Sequence, residues 1–314
     1  MTILLAITGW DLAPWEAEAR AALTNRTIAV HGRDAYDPAA IEYALLWKQP
    51  HGALAGLPNL KAALCLGAGV DHVLADPLLP AVPIARTVDP DLTMRMTEWV
   101  VLQVLSHHRR QRLYLDQQAR RVWASPPQEA ASAVRVGLLG LGELGRDAAE
   151  VLARLGFRVA GWARTARTVA GVEVFHGVEG LAPFLARTDI LVTLLPLTAE
   201  TRGILNYRLF SGLARDGVLG PPILVNAGRG GLQIEADILA ALDDGTLGAA
   251  TLDVFETEPL PAASPLWGHP KVTITPHVAA DSGPREIMAL VVRQIARLER
   301  GLPPEHLVDP KRGY

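Results

Sequence analysis

Apolar residues gather in short continuous runs along the first hundred positions, at 2–7, 28–30, 43–47, 61–66 and 83–87. A helical stretch around 15–23 separates the first two. Runs that are apolar throughout read as strands buried on both faces, which belong to parallel sheets covered by helices. A different period follows: Leu92, Met96, Val100, Val101, Val104, Leu105 and His108 recur at threes and fours, predicting a long helix. The basic run His107, His108, Arg109, Arg110 on that helix reads as a solvated face, and Ser125-Pro126-Pro127 ends the pattern. A second strand–helix series begins near 133, with runs at 134–139, 158–162, 190–195, 223–226, 249–254 and 272–275. A last amphipathic helix is predicted over 284–300, with Ile287, Met288, Val291, Ile295 and Leu298 on one face. It follows a completed sheet, so it is expected to return to the first domain. The predicted domains are therefore 1–99 with 283–314, and 100–282.

Composition narrows the classes. The chain has 314 residues, 49% hydrophobic and 20% charged, an ordinary globular balance. Its net charge is 30 − 33 = −3, which gives no global attraction to nucleic acid or to an anionic membrane. The single cysteine, Cys65, makes neither an intrachain disulfide nor a cysteine-based zinc site, and no metal is expected. No run reaches the roughly 18 apolar residues of a membrane helix, and the N-terminus reads as a first strand rather than a signal peptide. A reducing cytoplasm is the expected compartment.

Candidate chemistry begins at Gly140-Leu141-Gly142-Glu143-Leu144-Gly145, a G-x-G-x-x-G run after a predicted strand and at the start of a helix. Gly140 permits the tight turn, Gly142 lets the backbone approach a pyrophosphate, and Gly145 lets the helix pack close. The next strand ends in Trp162, with Arg164, Thr165 and Arg167 where an acid would bind the ribose of NAD. The missing acid and the paired bases favour NADP, with NAD the alternative.

In open α/β sheets ligands sit beyond the carboxyl ends of the strands. Three late strands end in polar groups: Arg229 in a glycine turn, Asp253 and Glu258 after the next run, and His277 after the last. Arginine grips a carboxylate with two prongs, an imidazolium gives a proton, and a carboxylate orients the imidazole. With a dinucleotide fingerprint, these are the parts for hydride transfer to a keto acid.

These segments, with Leu194-Leu195-Pro196-Leu197-Thr198, Val225-Asn226-Ala227-Gly228-Arg229-Gly230 and Thr275-Pro276-His277, resemble the D-2-hydroxyacid dehydrogenase family over nearly the whole chain. The resemblance implies Arg229, Glu258 and His277 as the catalytic set. It implies cofactor contacts from Gly140, Gly142, Glu143, Leu144, Gly145, Trp162, Arg164, Thr165, Arg167, Leu195, Pro196, Thr198, Ala227 and Asp253. It also implies a carboxylate-holding loop at Leu66-Gly67-Ala68-Gly69-Val70-Asp71, with Ala68 and Gly69 at the substrate and Trp47 and Met94 as pocket walls. The fold expected is α/β, two doubly wound parallel-sheet domains: a Rossmann nucleotide-binding domain and a flavodoxin-like substrate domain, with a cleft between. A homodimer through the nucleotide-binding domain is part of the same expectation. Arg109-Arg110, the segment 161–165, Ser264-Pro265-Leu266-Trp267 and Arg312-Gly313-Tyr314 point to a branch that reduces small 2-keto acids such as glyoxylate or hydroxypyruvate. Segment 278–284 departs from the expected pattern, carrying Asp281-Ser282-Gly283. Lactate or branched-acid dehydrogenase and a non-enzymatic dinucleotide sensor are the alternatives.

Overall fold

The computed structural model describes residues 1–314, which form two compact units. The first comprises Met1–Leu92 and Ser282–Tyr314, the second Thr93–Asp281. No helix is long and apolar enough to cross a membrane.

The first unit carries β1 (Thr2–Ile7), α1 (Leu12–Ala22), β2 (Thr27–Val30), β3 (Ile41–Trp47), β4 (Ala62–Cys65), α2 (Asp71–Leu74) and β5 (Ile84–Ala85). Its five strands are parallel in the order β2-β1-β3-β4-β5, the doubly wound order in which the chain reverses direction between β1 and β3. The central strands are buried on both faces because an apolar core lies on each side. One contains Ile3, Leu5, Tyr43, Leu45 and Leu64, the other Leu4, Ala44, Leu46 and Ala63.

The second unit begins in α3 (Pro90–His108), followed by α4 (Gln111–Ala119). It continues with β6 (Arg135–Leu139), α5 (Glu143–Arg154), β7 (Arg158–Ala163), β8 (Glu173–His176), α6 (Gly177–Ala186) and β9 (Ile190–Thr193). It closes with α7 (Tyr207–Ser211), β10 (Ile223–Asn226), α8 (Glu235–Asp243), β11 (Ala249–Leu252) and β12 (Val272–Ile274). The all-parallel order β12-β11-β10-β9-β6-β7-β8 reverses between β6 and β9. The last helix, α9 (Pro284–Glu299), belongs to the first unit. There Ile287, Met288, Val291 and Ile295 enter the same core as Trp15 and Ala19 of α1.

Three features differ from the sequence reading. The second sheet has seven strands rather than six. The extra one, β8, is an edge strand with no buried residue, so it lacks the apolar run that marks the others. The first boundary lies at Leu92/Thr93 rather than 99/100. Met96, Trp99, Val100 and Val104 already pack with Val134, Val136 and Leu138, so most of α3 belongs to the second core. His107 and His108 are not on a solvated face. His108 is 5% exposed, with its ring edge-on to Phe157 at 5.2 Å, and His107 Nε2 lies 2.8 Å from Thr251 Oγ1 of β11. The final turn of α3 lies against the sheet, so the histidines serve as packing groups.

Candidate active site

β6 ends at Leu139, and the chain enters α5 through the glycine turn. Gly140 sits at φ +111, where side chains are strained, and a Cβ there would lie 2.9 Å from the Leu194 carbonyl oxygen. A Cβ at Gly145 would come within 1.9 Å of the Gly140 oxygen, so only glycine lets the helix approach its own turn. Gly142 is the N-cap of α5 and supplies no side-chain cap. A Cβ built on it meets nothing within 4 Å. An uncapped helix start beside open space suits a pyrophosphate, so the residues present fit a dinucleotide. Glu143 is exposed and pairs with Arg146 at 3.3 Å, and Leu144 packs partly against the core.

The end of β7 divides its candidates. Trp162 donates from Nε1 to the Gly177 carbonyl at 2.8 Å and packs in the core beneath the sheet edge. Arg167 donates to the Leu141 carbonyl, which braces the glycine turn from outside. Arg164 and Thr165 are exposed beyond the strand, and no acidic residue stands between Gly161 and Gly171. After β9, Leu195 is buried and Thr198 is tied into its own loop. Its N–H donates to Thr201 Oγ1 at 2.8 Å and its hydroxyl to Glu200 at 2.7 Å.

Arg229 follows β10 in a turn shaped by two buried amides. Asn226 donates to Gln233 Oε1 at 2.8 Å and accepts from the Gly228 N–H at 3.0 Å; Gln233 donates to the Val254 carbonyl at 3.0 Å. Gly230 is mandatory, since a Cβ would lie 1.7 Å from the Phe255 oxygen. Ala227 is buried at the root of the turn, and Arg229 donates to the Gly228 carbonyl at 2.8 Å.

His277 Nδ1 lies 2.8 Å from Glu258 Oε2, with the imidazole 35% and the carboxylate 23% exposed. The other Glu258 oxygen accepts the Phe255 N–H at 3.2 Å. Asp253, expected among the cofactor contacts, is 1% exposed and turns inward. It accepts from Thr275 Oγ1 at 2.5 Å and from the N–H groups of Val278 and Ala279 at 3.0 Å. Its carbonyl accepts the His277 N–H at 2.8 Å. Asp253 thus holds the turn that presents His277. Arg229, Glu258 and His277 follow β10, β11 and β12, which are neighbours in one sheet.

In the first unit, Trp47 ends β3 at 8% exposure, and Ala68 and Gly69 lie in the loop after β4. Gly67 of that loop lies flat on Trp47: a Cβ there would be 2.1 Å from Cζ3 of the indole. Met94 is 54% exposed on α3. The sequence reading did not single out Asn226, Gln233 and Thr275 as supports. Asn226, a polar residue ending an apolar strand, carried a signal for such a role; Gln233 carried none.

The pattern of the D-isomer specific 2-hydroxyacid dehydrogenase NAD binding domain matches residues 101–279. The chain belongs to the D-isomer specific 2-hydroxyacid dehydrogenases, a family of NAD(P)-dependent oxidoreductases. It is 39% identical to a glyoxylate/hydroxypyruvate reductase A from Yersinia enterocolitica, with 100% of both chains covered. An NADPH-dependent glyoxylate/hydroxypyruvate reductase from Sinorhizobium meliloti, solved with NADP and sulfate, shares 46% identity at TM-score 0.92, covering 100% of this chain and 99% of that one. A probable 2-hydroxyacid dehydrogenase from Rhizobium etli, solved with NADP, HEPES and L(+)-tartaric acid, shares 45% at TM-score 0.94 with the same coverage.

Proposed function

We propose that this enzyme reduces small 2-keto acids, glyoxylate and hydroxypyruvate among them, to 2-hydroxy acids with a preference for NADPH. The observation that carries this reading is the His277–Glu258 pair at 2.8 Å, one strand away from the Arg229 turn, on the sheet that bears the glycine fingerprint. When bound, the reduced nicotinamide supplies the hydride. Arg229 holds the keto-acid carboxylate and polarises the carbonyl, which a planar two-pronged guanidinium does better than a point charge. His277 donates a proton from its ring to the developing alkoxide, and Glu258 fixes the ring through Nδ1 so that Nε2 faces the substrate. The glycine turn and the start of α5 receive the pyrophosphate, and Arg164 with Thr165 receives the 2′-phosphate. Trp47, Ala68, Gly69 and Met94 are assigned to substrate. Three of these four, all but Met94, lie in the unit Met1–Leu92 with Ser282–Tyr314, which is the substrate domain, and the other unit binds the cofactor. The enzyme acts in the cytoplasm as a homodimer built through the cofactor-binding unit.

The test is a panel of keto acids assayed with NADPH and NADH by absorbance at 340 nm. Glyoxylate or hydroxypyruvate should give the highest kcat/KM. Arg229→Lys should lower it ten- to a thousand-fold, on the order of one or two charge-assisted bonds at about 1.5–3 kcal/mol each. Full activity in Arg229→Lys, or a better substrate among bulky keto acids, would overturn the assignment.

A further inference from the structure

Three tryptophans of the first unit form a stack. Trp10, in the turn after β1, lies on Trp47 at the end of β3, with ring centroids 4.1 Å apart and 14° between planes. Its contact with Trp15 of α1 is 4.6 Å at 12°. His72 of α2 meets the edge of Trp47 at 4.9 Å and 66°. Trp47 also lies against Gly67, where even a methyl group would overlap it. One indole is therefore held by Trp10, by His72 and by the backbone of the loop between β4 and α2.

The location matters as much as the contacts. β1 and β3 flank the point where the strand order of this sheet reverses, and the carboxyl ends at such a point are where open α/β sheets leave a crevice. Trp47, the last residue of β3, and Trp10, just past β1, stack at those ends. An indole that is free to swing adapts to its ligand. One pinned in this way cannot move aside for a larger ligand without giving up stacking contacts. Trp15 is only 6% exposed, so the stack is anchored in the core of α1 rather than at the surface.

We propose that Trp10 is a specificity-determining positioning residue: it clamps Trp47 against the Gly67 loop and so closes that side of the site to keto acids with bulky side chains. The inference rests on the proposed function, in which Trp47 and, in the loop after β4, Ala68 and Gly69 are assigned to substrate. A substrate seated against that loop has the substituent on its keto carbon within reach of the Trp47 wall, because Gly67 lies directly on the indole. A hydrogen or a hydroxymethyl group fits beside a fixed indole, whereas a branched or aryl side chain needs it to move.

The experiment compares kcat/KM for glyoxylate and for 2-ketoisocaproate, with NADPH, in the wild type, Trp10→Ala, Trp10→Leu and Trp10→Phe. Trp10→Leu guards against a folding failure, since it keeps apolar volume but removes the stack. Trp10→Ala and Trp10→Leu should raise the 2-ketoisocaproate-to-glyoxylate ratio at least tenfold, through a lower KM for the larger acid. Trp10→Phe, which keeps an aromatic face, should stay within about threefold of wild type. A general loss of packing would lower both activities together and leave the ratio unmoved. An unchanged ratio in folded Trp10→Leu, judged by far-UV circular dichroism, overturns this inference alone. A wild type that reduces no 2-keto acid removes the functional reading and this inference with it.

Discussion

His277 holds φ at +56, a left-handed backbone that a non-glycine residue keeps only where its surroundings impose it. Here the imposition is visible: three donors of segment 275–279 converge on the buried Asp253 carboxylate. The sequence places Asp253 at a strand end, where cofactor contacts are common, yet nothing in its position says which way the carboxylate faces. That direction depends on the donors supplied by the later turn. Arg167 carries the same lesson, because the carbonyl that captures it, Leu141, lies in another turn of the chain. Arg164 and Thr165, exposed beyond β7, make a sharper prediction about cofactor choice. Arg164 should be the main source of NADPH preference, because a 2′-phosphate brings added charge and acceptors to its planar donors. One or two charge-assisted bonds imply roughly ten- to a thousand-fold over NADH, with screening at an exposed site favouring the lower end. Arg164→Ala should therefore bring the NADPH/NADH ratio of kcat/KM close to one, mostly through KM for NADPH. A wild-type ratio already near one, or a ratio indifferent to the change, would take Arg164 out of the cofactor site.

At the level of elements, most strands were legible because burial on both faces forces a continuous apolar run; β3, with only Glu42 less than buried, shows the effect. The edge strand β8 was not legible for the converse reason, since a strand with one neighbour and no buried residue carries no such run. The glycine turn could be read to the residue, because close approaches at Gly140 and Gly145 admit no other side chain. The end of α3 misled, because basic residues usually face water and only tertiary packing reveals His108 as buried and His107 as half-buried against Thr251. Their burial has a consequence for stability. Desolvation, aided by the positive charge of Arg112, lowers the His107 pKa from 6.5 to about 4. Burial, followed by the charge of Arg109, lowers that of His108 as well. In the unfolded chain His107 titrates near its ordinary 6.5, so the unfolded state takes up the proton first. The contribution of the neutral ring is complete above pH 6.5 and is lost as pH falls from there towards 4. For a partly buried ring the loss should be on the order of 1–3 kcal/mol. Urea unfolding at pH 7.5 and pH 4.5 measures it. His107→Gln, which keeps a polar partner for Thr251 but does not titrate, should flatten that pH dependence relative to wild type. Equal slopes in the two proteins would mean that His107 is protonated as easily in the fold as in the unfolded chain.

The whole molecule leaves apolar surface that neither sheet requires. On the cofactor-binding unit, Leu102 of α3 and Leu115 of α4 are 58% and 55% exposed, and Trp123, just beyond α4, is fully exposed. Isolated exposed leucines are ordinary, but a fully exposed tryptophan in the same unit makes this the candidate surface for the proposed subunit contact. The three lie on consecutive elements of one unit, the unit through which the homodimer is proposed. A self-complementary contact of this kind would bury the same residues twice, once on each subunit, so a single substitution acts doubly. Sedimentation velocity should therefore give about twice the chain mass of 33.7 kDa. Leu115→Glu combined with Trp123→Asp should shift the protein towards the monomer at micromolar concentration, because each interface would then bury four unpaired carboxylates. The far-UV spectrum should remain unchanged, since neither side chain belongs to a core. A wild type that sediments at the mass of one chain, or a double variant that dimerises as tightly as wild type, would place the subunit contact elsewhere or remove it.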